Sequence, residues 1–282
     1  MSYQSREESR EDAVPVNLLL FRYGLAATAI YTYTNAEQPI IRDSRVYAPI
    51  PVEADNIQSS GTLDRKTLVV RLPSSTEIAQ LYRAYPPSYP VTLTIFRGHL
   101  SDDNRQWVVV WTGRVLNGKQ AGDGSHVCEL SCEPIVTAMR RNGLRRNYQF
   151  MCPHVLYGTQ CRASRGAATI TVLPTAIGSN YVDVPAGWDT PARIDKYTGG
   201  VIEWTTVEGN LEIRTVLDVE SGTRIHMTGP TTGLTSQTVR ISLGCNHQMS
   251  DCGDLHDNIL NFGGQPWIPI NHPFGTFYNT FY

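Results

Sequence analysis

The sequence lacks a surplus of either charge and has no long apolar run, and each absence excludes a class of protein. Lysine and arginine number 24 against 26 aspartate and glutamate, a formal net charge of −2. A chain so close to neutral does not bind nucleic acid through bulk charge, although a local basic patch stays open. No stretch approaches the roughly 20 apolar residues of a membrane-crossing helix, so no membrane span is expected. Residues 1–12 are polar and charged, with no apolar stretch behind a basic start. No secretory signal is therefore expected, and folding is expected in a reducing cytoplasm. In that setting six cysteines read as thiols or metal ligands before disulfides. There is no internal repeat, no Gly-x-Ser-x-Gly elbow, no His-Glu-x-x-His helix and no phosphate-binding glycine loop.

Charged residues are also scarce, at 18%, against about 25% in an ordinary soluble domain. What replaces them is glycine (23), proline (17) and tyrosine (14), within a hydrophobic content of 41% that suffices for a core. That composition suits a β-rich, turn-rich component of an assembly, with much of its surface covered by neighbours.

Strand-like runs dominate the chain. They are Val16–Phe21, Ala29–Thr34, Val46–Ile50, Leu68–Leu72, Val91–Phe96, Trp107–Leu116 and Val127–Cys132, then Ala168–Leu173, Val201–Thr206, Leu211–Asp218 and Val239–Leu243. The Asp102–Asn104 turn predicts a hairpin. Ser74-Ser-Thr-Glu77 matches a capping box for a short helix carrying Ile78, Leu81 and Tyr82, and Glu133-Pro134 opens a second one running to about Asn142. The fold class expected is mainly β with some α+β character. Residues 1–14 read as a flexible or partner-bound arm, and 15–145 as a β-barrel-like domain. Residues 146–161 with 245–282 form a cysteine-held C-terminal region, and 162–244 an inserted β subdomain.

Four cysteines form two sequence pairs flanking the insert, Cys152 with Cys161 and Cys245 with Cys252. An inserted domain leaves and rejoins its host near one point, so all four sulfurs can converge. Four thiolates suit tetrahedral zinc or an iron–sulfur cluster. Eight and six residues intervene within the pairs, wider than the two to four typical of zinc knuckles, and wider arms suit a larger object. Two disulfides or four buried thiols also satisfy the pattern. His154 and His247 lie inside the loops as second-rank ligands. Cys128 and Cys132 share a face of one strand about 13 Å apart, and read as small core residues.

Arg140, Arg141, Arg145 and Arg146 could meet phosphate, but pairing with acidic neighbours or compensation of the thiolates is preferred, and no stable nucleic-acid binding is expected. The aromatic C-terminus (Trp267, Phe274, Phe277, Tyr278, Phe281, Tyr282) either folds back or reaches a neighbour. Cys152 and His154, two residues apart in a proline-containing loop, are poorly placed as nucleophile and base. No enzyme is expected.

These motifs resemble a known family. Cys-Pro-His-Val-Leu-Tyr-Gly-Thr-Gln-Cys (152–161), Gly-Cys-Asn-His-Gln-Met-Ser-Asp-Cys (244–252), Asn258–Pro269 and Asn271–Phe274 are similar to segments of phage tail-tip and baseplate hub proteins. That family includes the lambda-type minor tail protein L and the hub of gene transfer agents. Tyr47–Pro51, Arg83–Pro87 and Trp111–Arg114 look like landmarks of its hub domain. The resemblance implies a structural virion protein of the tail baseplate, assembled in the host cytoplasm. It implies a homotrimer on the tail axis, with the distal tail protein, the tail-tip or central fibre protein and the tape measure protein as neighbours. It also implies a 4Fe-4S cluster, with zinc as the alternative, on Cys152, Cys161, Cys245 and Cys252. A tail-associated peptidoglycan-degrading enzyme and a redox carrier on the same cysteines are the competing readings.

Overall fold

The computed structural model describes residues 3–9, 13–24, 29–57, 67–83, 85–102, 106–121, 125–139, 148–207 and 209–268. The chain divides into two units, one of residues 1–142 with 205–212, the other of 143–204 with 213–282.

In the first unit a short helix, α1 (Tyr3–Glu7), precedes β1 (Pro15–Tyr23), β2 (Ile30–Thr34), β3 (Ile40–Arg42), β4 (Arg45–Pro49), β5 (Glu53–Ala54) and β6 (Leu68–Pro73). Helix α2 (Glu77–Leu81) then leads to β7 (Val91–His99), β8 (Val108–Gln120) and β9 (Val127–Pro134). All nine strands join one sheet in the order β3-β4-β2-β1-β7-β8-β9-β6-β5. Alternation in the sequence builds it: Leu68, Val70 and Leu72 of β6 face the core while Val69 and Arg71 are partly exposed. Along β1, Leu19, Phe21 and Tyr23 pack with Leu93, Ile95 and Leu130 on one face, and Val16 and Leu18 pack with Tyr47 and Phe96 on the other. Each such buried Leu or Phe contributes about 2 kcal/mol relative to exposure.

The mainly β expectation holds, but the sheet is open and no barrel closes among the described residues. Its end strands, β3 and β5, are three and two residues long and offer few backbone groups for closure. The capping box is not formed either. The N-cap of α2 is Thr76, and the Ser74 hydroxyl instead donates to the His126 carbonyl at 2.9 Å. Glu133 and Pro134 finish β9, and a 3₁₀ turn over Ile135–Met139 stands where the second helix was expected. The Arg140–Arg146 cluster, Asp103 and Asn104 of the hairpin turn, and the aromatic positions 274–282 lie outside the described residues. The β7–β8 pairing itself is antiparallel as expected.

The second unit is built on a sheet of β10 (Thr169–Val172), β11 (Ala176–Ile177), β12 (Tyr181–Asp183), β13 (Val201–Thr205), β14 (Leu211–Glu220), β15 (Arg224–Met227) and β16 (Val239–Ser242). Their order is β10-β16-β13-β14-β15-β12-β11, again open. Tyr197, Ile202, Trp204, Val216, Ile225, Val239 and Ile241 form its core. One pairing positions the candidate site. β10 and β16 are antiparallel neighbours, with Thr169 opposite Ser242, and the Leu243 N–H donates to the Ala168 carbonyl at 3.0 Å. The exit of the first cysteine loop therefore lies beside the entrance of the second.

Candidate metal centre

Cys152, Cys161, Cys245 and Cys252 line one small cavity, together with His154, His247 and Asn258. The antiparallel β10–β16 pair delivers the loops to a common place, and backbone hydrogen bonds then lace them together. The Cys152 N–H donates to the His247 carbonyl at 2.8 Å, and His247 Nδ1 bonds the Cys152 carbonyl at 3.0 Å. The Asn258 N–H donates to the Cys252 carbonyl at 2.8 Å, and the Gln265 N–H to the Gln149 carbonyl at 2.8 Å. Behind the second loop, the Asp251 carboxylate accepts from Lys196 Nζ at 3.0 Å and from the Asn246 N–H at 3.1 Å.

The backbone is unusually constrained here. Tyr157, Arg162, His247 and Asp257 all sit at φ between 46° and 61°, a left-handed region that costs a non-glycine residue energy and persists only where surroundings hold it. Asp251–Leu255 forms a π-helical turn, a distortion frequent at functional sites. Gly244 passes so close to a neighbouring segment that a Cβ on it would lie 2.0 Å from the Thr198 carbonyl.

Three of the four sulfurs receive N–H donors: Cys152 from the Gly263 N–H at 3.3 Å, Cys245 from the His247 N–H at 3.3 Å, and Cys161 from Asn258 Nδ2 at 3.7 Å. The Cys252 thiol donates to the Asn258 carbonyl at 3.2 Å. Burial pushes the Cys252 thiol up to about 11, and the sulfurs of Cys152, Cys245 and Cys161 add to the rise. Burial likewise raises Cys245, against the His247 N–H that lowers it, and Asp251, Cys161 and Cys152 add to the rise. The sulfurs thus feel one another's charge. Four thiols on one cavity, with N–H groups aimed at three of them, fit the donor set of an iron–sulfur cluster, whose sulfurs such bonds stabilise. Among the described residues no three His, Cys, Asp or Glu side chains gather tightly enough for a single metal ion.

His154 and His247 also line the cavity. Each uses Nδ1 on a carbonyl, of Asn261 at 3.1 Å for His154 and of Cys152 for His247, which fixes the orientation of the ring. None of the six cysteines is in a disulfide. Cys128 and Cys132 are fully buried in β9, in the core of the first unit, and do not line this cavity. Sequence reasoning missed the polar frame of Asn258, Asn261, Lys196 and Asp251. Asn258 and Asn261 lay inside a family-like segment, but nothing in their spacing marked them as sulfur or loop partners.

A mainly β chain with a four-thiol cavity beside its second sheet is the class these features define. Comparison with known proteins adds two findings. A family model described as "Phage conserved hypothetical protein BR0599" matches residues 195–272, a span holding Cys245, Cys252 and Asn258 but not the first cysteine loop. Among solved structures, the chain is similar to one from the "Virion of native gene transfer agent (GTA) particle", with a TM-score of 0.74 and 16% identity. The match covers 96% of this chain and 93% of that one. At that identity the likeness is one of fold. No curated protein matches the chain.

Proposed function

We propose that this chain is a structural hub or tail-tip protein of a phage-like particle, stabilised by one four-cysteine iron–sulfur cluster. One observation carries the reading: the four cysteines singled out by spacing line a single cavity. The fold likeness to a gene transfer agent virion chain and the phage family match over 195–272 support the particle context. In this reading residues 15–145 are the hub domain linking tail tube to tip. Residues 146–161 and 245–282 are the cluster-held region, and 162–244 is an insert. The chain works as a homotrimer on the tail axis among the distal tail, central fibre and tape measure proteins, and it is not an enzyme.

Cys152, Cys161, Cys245 and Cys252 would hold the cluster, and when bound it supplies a covalent tie between loops that have little core of their own. Its binding free energy then becomes folding free energy of the second unit. The competing occupant is zinc, which needs all four sulfurs drawn in to about 2.3 Å from one ion. Iron, acid-labile sulfide and zinc analysis of anaerobically purified protein tests the reading. Near-equal iron and sulfide, about four of each per chain for a cubane, is the expected result. A colourless protein with stoichiometric zinc decides for zinc, and two disulfides without metal reject both.

A further inference from the structure

We infer that Asn258 is the positioning residue of the four-cysteine cavity: it ties the two cysteine motifs together and donates to the Cys161 sulfur. This rests on the metal-centre reading proposed above. The residue is buried, 7% exposed, and every polar group it owns is engaged. Its Nδ2 donates to the Cys161 carbonyl at 2.5 Å and to Cys161 Sγ at 3.7 Å. Its backbone N–H holds the Cys252 carbonyl, and its own carbonyl accepts from the Cys252 thiol. The last cysteine of each motif is thus joined through one asparagine.

The orientation of the amide is fixed from behind. Asn261 Nδ2 donates to Asn258 Oδ1 at 2.7 Å, so the oxygen is occupied and the nitrogen is turned toward Cys161. Aspartate at 258 would offer two acceptors and no donor to Cys161, and alanine would leave the Asn261 amide without its acceptor. The bonds from the backbone of residue 258 to Cys252 survive either change. Loss of the side chain should therefore loosen Cys161 before the other three sulfurs. An N–H donor on a cluster sulfur stabilises the more negative, reduced state, so its loss lowers the reduction potential. Outer-shell partners of this kind are worth roughly 10- to 100-fold in metal retention.

The test compares wild type, Asn258→Ala and Asn258→Asp in the full chain. Metal-free protein is alkylated with iodoacetamide and each cysteine's rate is read by mass spectrometry. Protein reconstituted with iron and sulfide is titrated for its midpoint potential and challenged with a chelator. Three results are expected. Cys161 alkylation rises several-fold in both variants while Cys245 is unchanged. Iron loss to the chelator is roughly tenfold faster or more. The potential falls in the order wild type, Ala, Asp, because Asp adds a negative charge to the lost donor. An unchanged Cys161 rate, a uniform rise at all four cavity cysteines, or potentials equal to wild type overturns the inference while a loaded wild type leaves the metal reading standing. A wild type that takes up neither iron with sulfide nor zinc overturns both.

Discussion

At the scale of single residues the chain carries two kinds of thiol. Cys128 and Cys132 stand opposite Leu72 and Leu68 in the first sheet, and both are fully buried. Burial pushes Cys128 up to about 11, with Glu129 adding to the rise, and Cys132 up to about 12. A thiol raised in the folded state supports folding below its unfolded value, about 8.5, and that support fades as pH climbs toward the folded value. The first unit should therefore lose stability from about pH 8.5 upward, ahead of its tyrosines, which ionise near 10 when unfolded. Cys132→Val should flatten the denaturation midpoint between pH 8.5 and 10, and an unchanged slope would count against the assignment. The cavity thiols differ by being grouped. Cys161→Ser should abolish stoichiometric metal and lower the melting temperature of the second unit. Cys132→Ser should keep the metal and cost about 1–3 kcal/mol for a buried hydroxyl short of partners. Metal analysis and calorimetry on the same preparations separate the two.

At the scale of elements, the β10–β16 pair turns two sequence-distant loops into neighbours, and the segments around it leave little room. Glu203 on β13, almost fully buried, stands opposite Arg240 on β16 and pairs with both Arg240 and Arg165. Arg165 belongs to the link between Cys161 and β10, so this one carboxylate anchors the first cysteine loop to the sheet. Gly244 lies between β16 and Cys245, against the Thr198 carbonyl. Gly244→Ala must push that backbone aside, a strain of about 1–3 kcal/mol. It should lower the unfolding midpoint of the second unit and leave that of the first unchanged, as hydrogen exchange read by mass spectrometry on peptides of each unit through a urea titration would report. β6 and β9 were legible in the sequence because they alternate cleanly, and β1 and β7 because they are apolar, β-branched and aromatic runs buried on both faces. β3, β5, β11, β12 and β15 were not, because two to four residues carry no period and their extended shape comes from pairing. The site divides the same way. Cysteine spacing announced the four sulfurs, whereas the N–H groups of Gly263 and His247 and the amide of Asn258 acquire their role only from where the backbone carries them. The capping box failed because its serine found a tertiary acceptor in His126.

For the molecule as a whole, the question is what a weakly charged chain does with its exposed apolar side chains. In the segments beside the cysteine cavity, Tyr148 and Val155 are each 78% exposed, Trp267 87% and Leu260 96%. Large apolar side chains left this exposed are the kind of surface that other molecules cover, and lysine and glutamate to surround them are scarce in a sequence with 18% charge. On the metal-centre reading, a cluster tying four chain positions together would hold these loops in shape to present such a surface. A ring of identical copies is the economical way to cover it, since closed cyclic symmetry buries the same patches on every subunit. On the hub reading that ring sits on the tail axis and contains three copies. Counting subunits in intact particles, by quantitative mass spectrometry against the tail-tube protein and by imaging of the tail end, should return three per tail. Six copies, or none, would overturn the hub assignment even if the cysteine cavity proved to hold its cluster, because the metal centre and the place in the particle rest on separate observations.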